Sequence, residues 1–459
     1  MRNSWITVGG LLFSILVGCT SNDHPDVPNI DAAIQLIKSE KQQAIERYID
    51  RTHKTTTRGS EIPLLPYIVD GDTVMFVANY PDGGFEIFSN DLALPMVLVK
   101  SKTGAYNPYG KIVKTPFDEF LAEAGETIAE NQSTNNNIDA DITWSVYSNR
   151  EEERNEGGES YVGTGCEVVE REYTPKGGRL ATKWNQDYPY NQFTPLCSDG
   201  SGEHSLVGCG AVAVGQFLYH YNKYFKIPAT TVTSATYNSS TNTYSFTGTS
   251  STIWNSFINS SNNAVAAKQT AIFLGYVAKE IYTDFGRTPS EGSSTESWSY
   301  PWFINSECGS KYAWKQFSIS NVLEVFQSGH PVITTSRLNQ YKNDGTVVYN
   351  SGHAYLIDYT STIQVTYYDV YAEKRNDDDI DDKEDHEDDY AYGPSMDYFY
   401  KKYKNVSTSF AGRETENWIS MNWGWGGMYD DLLINAQLST WDIYRSKDKL
   451  LLYNTDILM

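Results

Sequence analysis

Apolar residues in the first part of the chain recur with two different spacings, which predict helices and strands. From Asp31 to Tyr48 they lie three or four residues apart among charged positions, which is typical of an amphipathic helix. Three short apolar runs predict strands, at Val74–Val77, Phe85–Phe88 and Met96–Val99. A second helical pattern covers Pro116 to about Glu130. Residues 20–130 are therefore predicted to form a small α+β domain.

The character of the chain changes twice after this region. Residues 131–170 are polar, which predicts an exposed linker that proteases can reach. Residues 171–459 are rich in aromatic side chains and are predicted to form a large globular domain. This domain is interrupted near 375–395, where the segment 377–389 holds ten acidic residues against one Lys. We interpret this run as a solvated loop, because it lacks the glycine that an EF-hand calcium loop needs at its sharp turn.

The N-terminus has the features of an export signal. Met1 and Arg2 are followed by an apolar run, Val8–Val17, which is too short to span a bilayer. The run ends in Leu-Val-Gly-Cys, which resembles the lipobox of bacterial lipoproteins. The resemblance implies that residues 1–19 are a lipoprotein signal and that Cys19 carries a lipid anchor. An ordinary secretory signal is the alternative. Because no Asp follows Cys19, we expect the outer membrane or cell surface of a Gram-negative bacterium, with release after maturation left open.

The overall charge and the absence of several motifs exclude other classes of protein. The 459 residues carry a formal net charge of −22, which argues against general nucleic-acid binding. The sequence contains no His-Glu-x-x-His, no Gly-x-Ser-x-Gly, no phosphate-binding glycine loop and no Cys-x-x-Cys. We therefore expect no metal and no cofactor. The disulfide state of Cys166, Cys197 and Cys308 is left open by the sequence.

One further cysteine stands at the start of a helical pattern. Cys209 lies between Gly208 and Gly210, and apolar residues recur on one helical face after it. At a helix N-terminus, unpaired backbone N–H groups and the helix dipole favour the thiolate over the thiol. The flanking glycines leave room for a substrate carbonyl. Cys209 is therefore a candidate nucleophile, with a buried structural cysteine as the alternative.

Three other blocks contain residues that could act with Cys209. His353 follows a Gly at the start of an apolar strand pattern, 144 residues after Cys209, which is the spacing of papain-like enzymes. The block NWGWGG begins at Asn422, and the block WNQDYPYN, at residues 184–191, contains Gln186. Together with the block around Cys209, these segments resemble the streptopain family of bacterial cysteine peptidases in residue type and order.

The resemblance covers about residues 170–459 and implies a papain-like, two-lobed α+β domain. It implies that Cys209 is the nucleophile and that His353 takes and returns its proton. Asn422 would orient the imidazole, Trp423 would shield that hydrogen bond, and Gln186 would donate to the oxyanion. Residues 20–130 resemble the inhibitory propeptide of the family. The interval of 69 residues between the His and the Asn is much longer than the family's short link.

Together these observations predict a secreted, lipid-anchored cysteine endopeptidase that is made as a zymogen. Its expected partners are protein or peptide substrates, its own prodomain as an intramolecular inhibitor, and the membrane through the anchor at Cys19. Two other interpretations stay open. One is a catalytically silent surface-binding lipoprotein, and the other is a papain-fold acyltransferase.

Overall fold

The structure is a computed structural model, and it describes several separate stretches of the chain. The predicted signal segment, Cys19 and the acidic run at 377–389 lie outside them. Among the described helices, none combines the length and the apolar character needed to cross a membrane. The described residues are 40–53, 62–109, 115–133, 144, 153–154, 160–221, 230–233, 243–246, 264–308, 311–326, 330–341, 347–374, 403–436 and 450–454.

The helices form where apolar residues share one face and a polar side chain satisfies the first backbone N–H groups. In the second helix the buried residues Phe117, Leu121 and Ala124 follow helical spacing. Its start is fixed by a reciprocal pair of hydrogen bonds in which Thr115 and Asp118 each accept from the other's backbone N–H. The described helices are α1 (Glu40–Thr52), α2 (Pro116–Ser133), α3 (Cys209–Tyr221), α4 (Ala264–Glu280), α5 (Ser299–Cys308) and α6 (Ile319–Val325).

Most of the strands belong to one 12-stranded sheet, in which every pairing is antiparallel. Its main path runs β1-β2-β3-β4-β13-β12-β11-β10-β14-β9, with β6 pairing to β11 and β5 to β6, while β7 and β8 form a separate hairpin. The strands are β1 (Leu64–Val69), β2 (Asp72–Asn79), β3 (Phe85–Ser89), β4 (Val97–Ser101), β5 (Glu153–Arg154), β6 (Ser160–Gly177), β7 (Thr230–Thr233), β8 (Thr243–Phe246), β9 (Tyr312–Gln316), β10 (Val332–Tyr341), β11 (Val347–Lys374), β12 (Tyr403–Asn422), β13 (Leu433–Asn435) and β14 (Leu450–Asn454).

The sheet continues without a break from the predicted prodomain into the C-terminal part of the chain. Val99 of β4 pairs with Ile434 of β13, and Lys100 pairs with Leu433. Strands β1–β4 and helices α1 and α2 therefore form an α+β unit, as the sequence predicts. This unit is joined to the rest of the molecule by backbone hydrogen bonds.

Two large hydrophobic cores correspond to the two predicted lobes. One core surrounds α3 and contains Trp184, Phe217 and Phe273 among mainly helical neighbours. The other lies against the sheet and combines residues of the N-terminal unit, such as Phe120, with residues of β12 and the turn that follows it, such as Trp423. The predicted α+β class is confirmed by this arrangement of helices and antiparallel sheet.

Two segments differ from the sequence-based prediction. Strand β1 was not predicted, because Pro66 interrupts its apolar pattern; proline is tolerated there since β1 is an edge strand of the sheet. Residues 160–170, predicted as part of an exposed linker, belong to β6, which pairs with the long strand β11. The polar composition of the preceding segment predicts a loop here, whereas pairing to β11 holds these residues as a strand.

Candidate active site

Cys209 is the first residue of α3, as the sequence predicts, and its half-buried thiol lies against the strand that carries His353. The backbone N–H of Ala354 donates to Sγ of Cys209 across 3.4 Å. Because Ala354 follows His353 directly in β11, this contact brings the thiol to the histidine-bearing strand. Burial raises the pKa of the Cys209 thiol, while hydrogen bonds from the backbone N–H groups of Ala354 and Gly210 act in the opposite direction.

The imidazole of His353 is held through one of its two nitrogens. Nε2 of His353 lies 3.0 Å from the backbone oxygen of Trp423. A carbonyl oxygen can only accept, so Nε2 carries the proton and Nδ1 is the basic nitrogen. The ring stacks on Tyr355 and on the indole of Trp423, with centroids 6.0 and 6.4 Å apart.

The electrostatic state of Cys209 differs from the thiolate expected from the sequence. Burial lowers the pKa of His353 to about 4, although the hydrogen bond to Trp423 opposes the shift. Burial raises the pKa of the thiol of Cys209 at the same time. Both groups are consequently neutral near pH 7 in this form of the chain. The negative charge of Glu119, on helix α2 of the N-terminal unit, adds to the rise in the pKa of Cys209.

The predicted role of Asn422 requires a correction. Its side-chain oxygen accepts hydrogen bonds from Nε2 of Gln216 at 2.9 Å and from the backbone N–H of Gly424 at 3.2 Å. The imidazole of His353 instead donates to the backbone carbonyl of Trp423. Asn422 ends strand β12 with its side chain buried among these partners, so the next residue supplies the acceptor. The indole of Trp423 stacks beside the imidazole; its role in shielding a hydrogen bond stays a prediction.

Gln186 lies beside the start of α3. Its backbone carbonyl accepts from the N–H of Val207, two residues before Cys209, and its own N–H donates to the side-chain oxygen of Asn185. These bonds fix the main chain of Gln186 close to the candidate nucleophile. Its role as an oxyanion donor stays a prediction.

The NWGWGG turn contacts the segment that contains Gln186. Its residue Gly426 has φ of +69° and donates its N–H to the carbonyl of Trp184, next to the segment that contains Gln186. A side chain at such a φ would be strained, which explains the glycine at this position. The turn thereby links the end of β12, where Trp423 lies, to the Trp184–Gln186 segment.

Two carboxyl groups behind the turn, the buried Asp358 and the half-buried Asp430, were missed by the sequence reasoning. Asp430 accepts the backbone N–H of Trp423 at 3.0 Å, and Asp358 accepts the N–H of Leu180 at 2.8 Å. Burial raises the pKa of Asp430 to about 8 and that of Asp358 to about 7. No sequence signal marks these two among 58 acidic residues, because their effect depends on backbone groups that folding brings to them.

Helix α2 of the N-terminal unit lies directly over the site. The rings of Phe117 and Phe120 pack on the indole of Trp423, with centroids 6.2 and 6.0 Å apart. The negative charge of Glu123, on the same helix, helps to raise the pKa of Tyr355, after burial as the larger cause. The N-terminal unit thus contacts the aromatic residues that lie against His353.

Residues 184–370 match the peptidase C10 family. This match contains Gln186, Cys209 and His353, and it confirms the resemblance predicted from the sequence blocks. Asn422 and Trp423 lie beyond the matched residues.

Individual proteins and solved structures are similar to parts of this chain. Streptopain from Streptococcus pyogenes is 26% identical over 155 residues, which are 32% of this chain and 32% of streptopain, so the chain spans about a third of that relative's length. A prointerpain A fragment from Prevotella intermedia is 18% identical, with a TM-score of 0.49, covering 86% of this chain and 100% of that one. The active interpain A cysteine protease is also 18% identical, with a TM-score of 0.35 and coverage of 61% and 94%.

Among the described residues, no group of three or more His, Cys, Asp or Glu side chains could hold a metal ion. Cys197 and Cys209 are free thiols. The side chains of Cys166 and Cys308 are outside the described part of the chain.

Proposed function

We propose that this protein is a cysteine endopeptidase that is exported and made as a zymogen. The observation that carries the proposal is the contact between the Cys209 thiol and the backbone N–H of Ala354, next to His353. It brings a thiol at a helix N-terminus to a histidine whose tautomer leaves Nδ1 free to accept a proton. The match of residues 184–370 to the peptidase C10 family supports the same chemistry.

Each step of the proposed reaction is assigned to one or two residues. Nδ1 of His353 takes the proton from the thiol of Cys209, and Sγ bonds to the carbonyl carbon of the scissile peptide. The backbone N–H of Cys209 and the side chain of Gln186 would donate to the resulting oxyanion, an effect of about 3–4 kcal/mol per donor. The C–N bond then breaks, and the leaving amine receives the proton from His353. Water hydrolyses the thioester and restores the thiol.

The structure supports latency of the zymogen. Helix α2 packs Phe117 and Phe120 against Trp423, and its Glu119 disfavours the thiolate of Cys209. Cleavage between the prodomain and the peptidase domain would allow the helix to leave. A neutral thiol facing a neutral imidazole would then regain access to solvent and form the reactive pair.

A single substitution tests the activity. Cys209→Ala should abolish hydrolysis of an unfolded protein by the processed chain, and Cys197→Ala, which removes a buried thiol elsewhere, should not. Labelling by a thiol-directed peptidase inhibitor should occur at Cys209 alone. Hydrolysis that survives in Cys209→Ala would contradict the proposal. Unlabelled protein would favour the silent surface-binding lipoprotein, and transfer to an added amine would favour the acyltransferase.

We further propose that the lipid anchor at Cys19 holds the zymogen at the membrane surface. The support is the Leu-Val-Gly-Cys sequence at the end of the short apolar run. Mass spectrometry of the mature N-terminus should find a lipidated Cys19, and Cys19→Ser should move the protein to the soluble fraction. An unmodified N-terminus downstream of residue 19 would indicate an ordinary secretory signal.

A further inference from the structure

We propose that Gln216 is a positioning residue for the imidazole of His353, acting through the side chain of Asn422 and the peptide group between Trp423 and Gly424. The inference rests on the proposed peptidase function. Gln216 stands seven residues after Cys209 on α3, two helical turns along the same face. One rigid helix therefore holds both the candidate nucleophile and the anchor of this network.

The hydrogen bonds of the network can be oriented without ambiguity. The backbone N–H of Gly424 can only donate, so the Asn422 atom that faces it is the oxygen Oδ1. The carbonyl of Thr182 can only accept, so the atom that faces it is Nδ2 of Asn422, at 3.2 Å. Both backbone partners thus give the same orientation for the amide of Asn422.

The orientation of Asn422 in turn fixes that of Gln216. Because Oδ1 of Asn422 is an acceptor, the atom that reaches it at 2.9 Å must be Nε2 of Gln216. The other end, Oε1 of Gln216, accepts the hydroxyl of Thr182 at 2.6 Å. All three side chains are buried, with Thr182 and Gln216 fully enclosed. Each polar atom of the Gln216 amide has a partner in this set.

The network meets the imidazole at one peptide group. Oδ1 of Asn422 accepts from the N–H of Gly424, and the C=O of the same peptide, which belongs to Trp423, accepts Nε2–H of His353. A shift of Asn422 therefore moves the acceptor of the imidazole directly. Hydrogen bonds in such a chain also polarise one another. Asn422 thus affects His353 through the backbone, although it does not touch the ring.

This arrangement gives Gln216 a definite task. Without the Nε2 donor of Gln216, the side chain of Asn422 loses one of its hydrogen bonds and can change position. The carbonyl of Trp423 is then held less rigidly. The imidazole can then rotate or exchange its tautomer, and Nδ1 no longer faces the thiol reliably. Displacements of about 1 Å in a catalytic group can cost on the order of 100-fold in rate.

The first test compares the kcat of processed variants. Gln216→Met keeps the chain length and removes the amide, and we expect kcat to fall about 10- to 100-fold while KM changes less than about twofold. Thr270→Val is the matched control, because its buried hydroxyl bonds to the carbonyl of Ala266 within α4, away from the site. It should keep the kcat of the unsubstituted protein. A native kcat in Gln216→Met would overturn the proposal.

A conservative variant separates positioning from packing. In Gln216→Glu a neutral carboxyl can donate to Asn422 and accept from Thr182, whereas a carboxylate cannot donate. Burial raises the pKa of such a carboxyl. We expect the ratio of its kcat to that of the unsubstituted enzyme to be near one at low pH and to fall about tenfold or more as the carboxyl ionises. A ratio that does not change with pH would contradict the positioning role of Gln216.

A third measurement does not need activity. In the full-length Cys209→Ala chain, ¹⁵N signals of His353 should report a single tautomer with the proton on Nε2. Adding Gln216→Met should give a mixture of tautomers, and adding Thr270→Val should not. If Gln216→Met changes the tautomer of His353 but the unsubstituted protein cleaves no substrate, the peptidase proposal fails and the positioning role of Gln216 stands. If the protein cleaves substrate and Gln216→Met leaves the tautomer of His353 unaffected, only the positioning role of Gln216 is refuted.

Discussion

The packing of α2 on the candidate active site makes Phe120 a sharp test of latency. Its side chain is 1% exposed and contacts both Trp423 and Phe117. Phe120→Ala would remove one of the two α2 rings that pack on Trp423 while leaving the capped start of α2 intact. We expect the prodomain to undock more often and the thiol of Cys209 to become accessible in the uncleaved chain.

The magnitude follows from the burial of the ring. Truncating a buried phenylalanine costs about 3–5 kcal/mol. The ring of Phe120 contacts Phe117, on its own helix, and Trp423, in the C-terminal part. Assigning about half of the cost to docking gives roughly 1.5–2.5 kcal/mol, which corresponds to a 10- to 70-fold increase in undocked chains.

The assay is the initial rate of alkylation of Cys209 in the full-length protein, followed by mass spectrometry. The buried thiol of Cys197 is an internal control, because its alkylation reports general unfolding. Phe88→Ala is the matched variant: Phe88 is a fully buried prodomain ring that packs on Tyr48. The reasoning is refuted if Cys209 in the Phe120→Ala variant is alkylated at the rate of the unsubstituted protein. It is also refuted if the alkylation rates of Cys197 and Cys209 rise together.

Two other substitutions test the environment of the site. Gly210→Ala should destabilise the protein by about 1–3 kcal/mol in urea unfolding, because the new methyl group would overlap the buried hydroxyl of Tyr300. Adding Tyr300→Phe to this variant should recover part of the lost stability. An unchanged unfolding midpoint would contradict the overlap. The pKa of Asp358 is about 7 in the folded state, above its value of about 3.9 in the unfolded state. The folded state therefore binds more protons than the unfolded state between these values, and the stability of the protein should fall as pH rises from about 4 to about 7. Asp358→Asn should flatten this part of the stability curve, and an unchanged slope would mean that another group causes it.

Local patterns were sufficient to predict the parts of the site that depend on local structure. Cys209 was expected at a helix N-terminus because glycines and an apolar face mark that start, and the structure confirms it. His353 was expected on a strand because apolar residues follow it, and it lies in β11. Helix α2 and strands β2, β3 and β4 were likewise marked by their own periodicity.

Contacts between distant backbone groups could not be predicted in the same way. The carbonyl of Trp423 holds His353, and a carbonyl is present in every residue, so no residue type identifies it. Asn422 has the residue type expected of the orienting group, yet its oxygen binds Gln216 and Gly424. Gln216 itself looks like a polar residue within an apolar helix until the fold brings Asn422 to it.

The pairing of β4 with β13 means that maturation would change the topology of the sheet. In the full-length chain β13 lies between β4 and β12. Removal of the N-terminal unit would turn β13 into an edge strand, with unpaired backbone groups that another chain could bind. Its span of three residues, Leu433–Asn435, limits that hazard, since short edges are poor templates for pairing. The shortness of this strand would therefore help the mature enzyme to avoid self-association once its prodomain is gone.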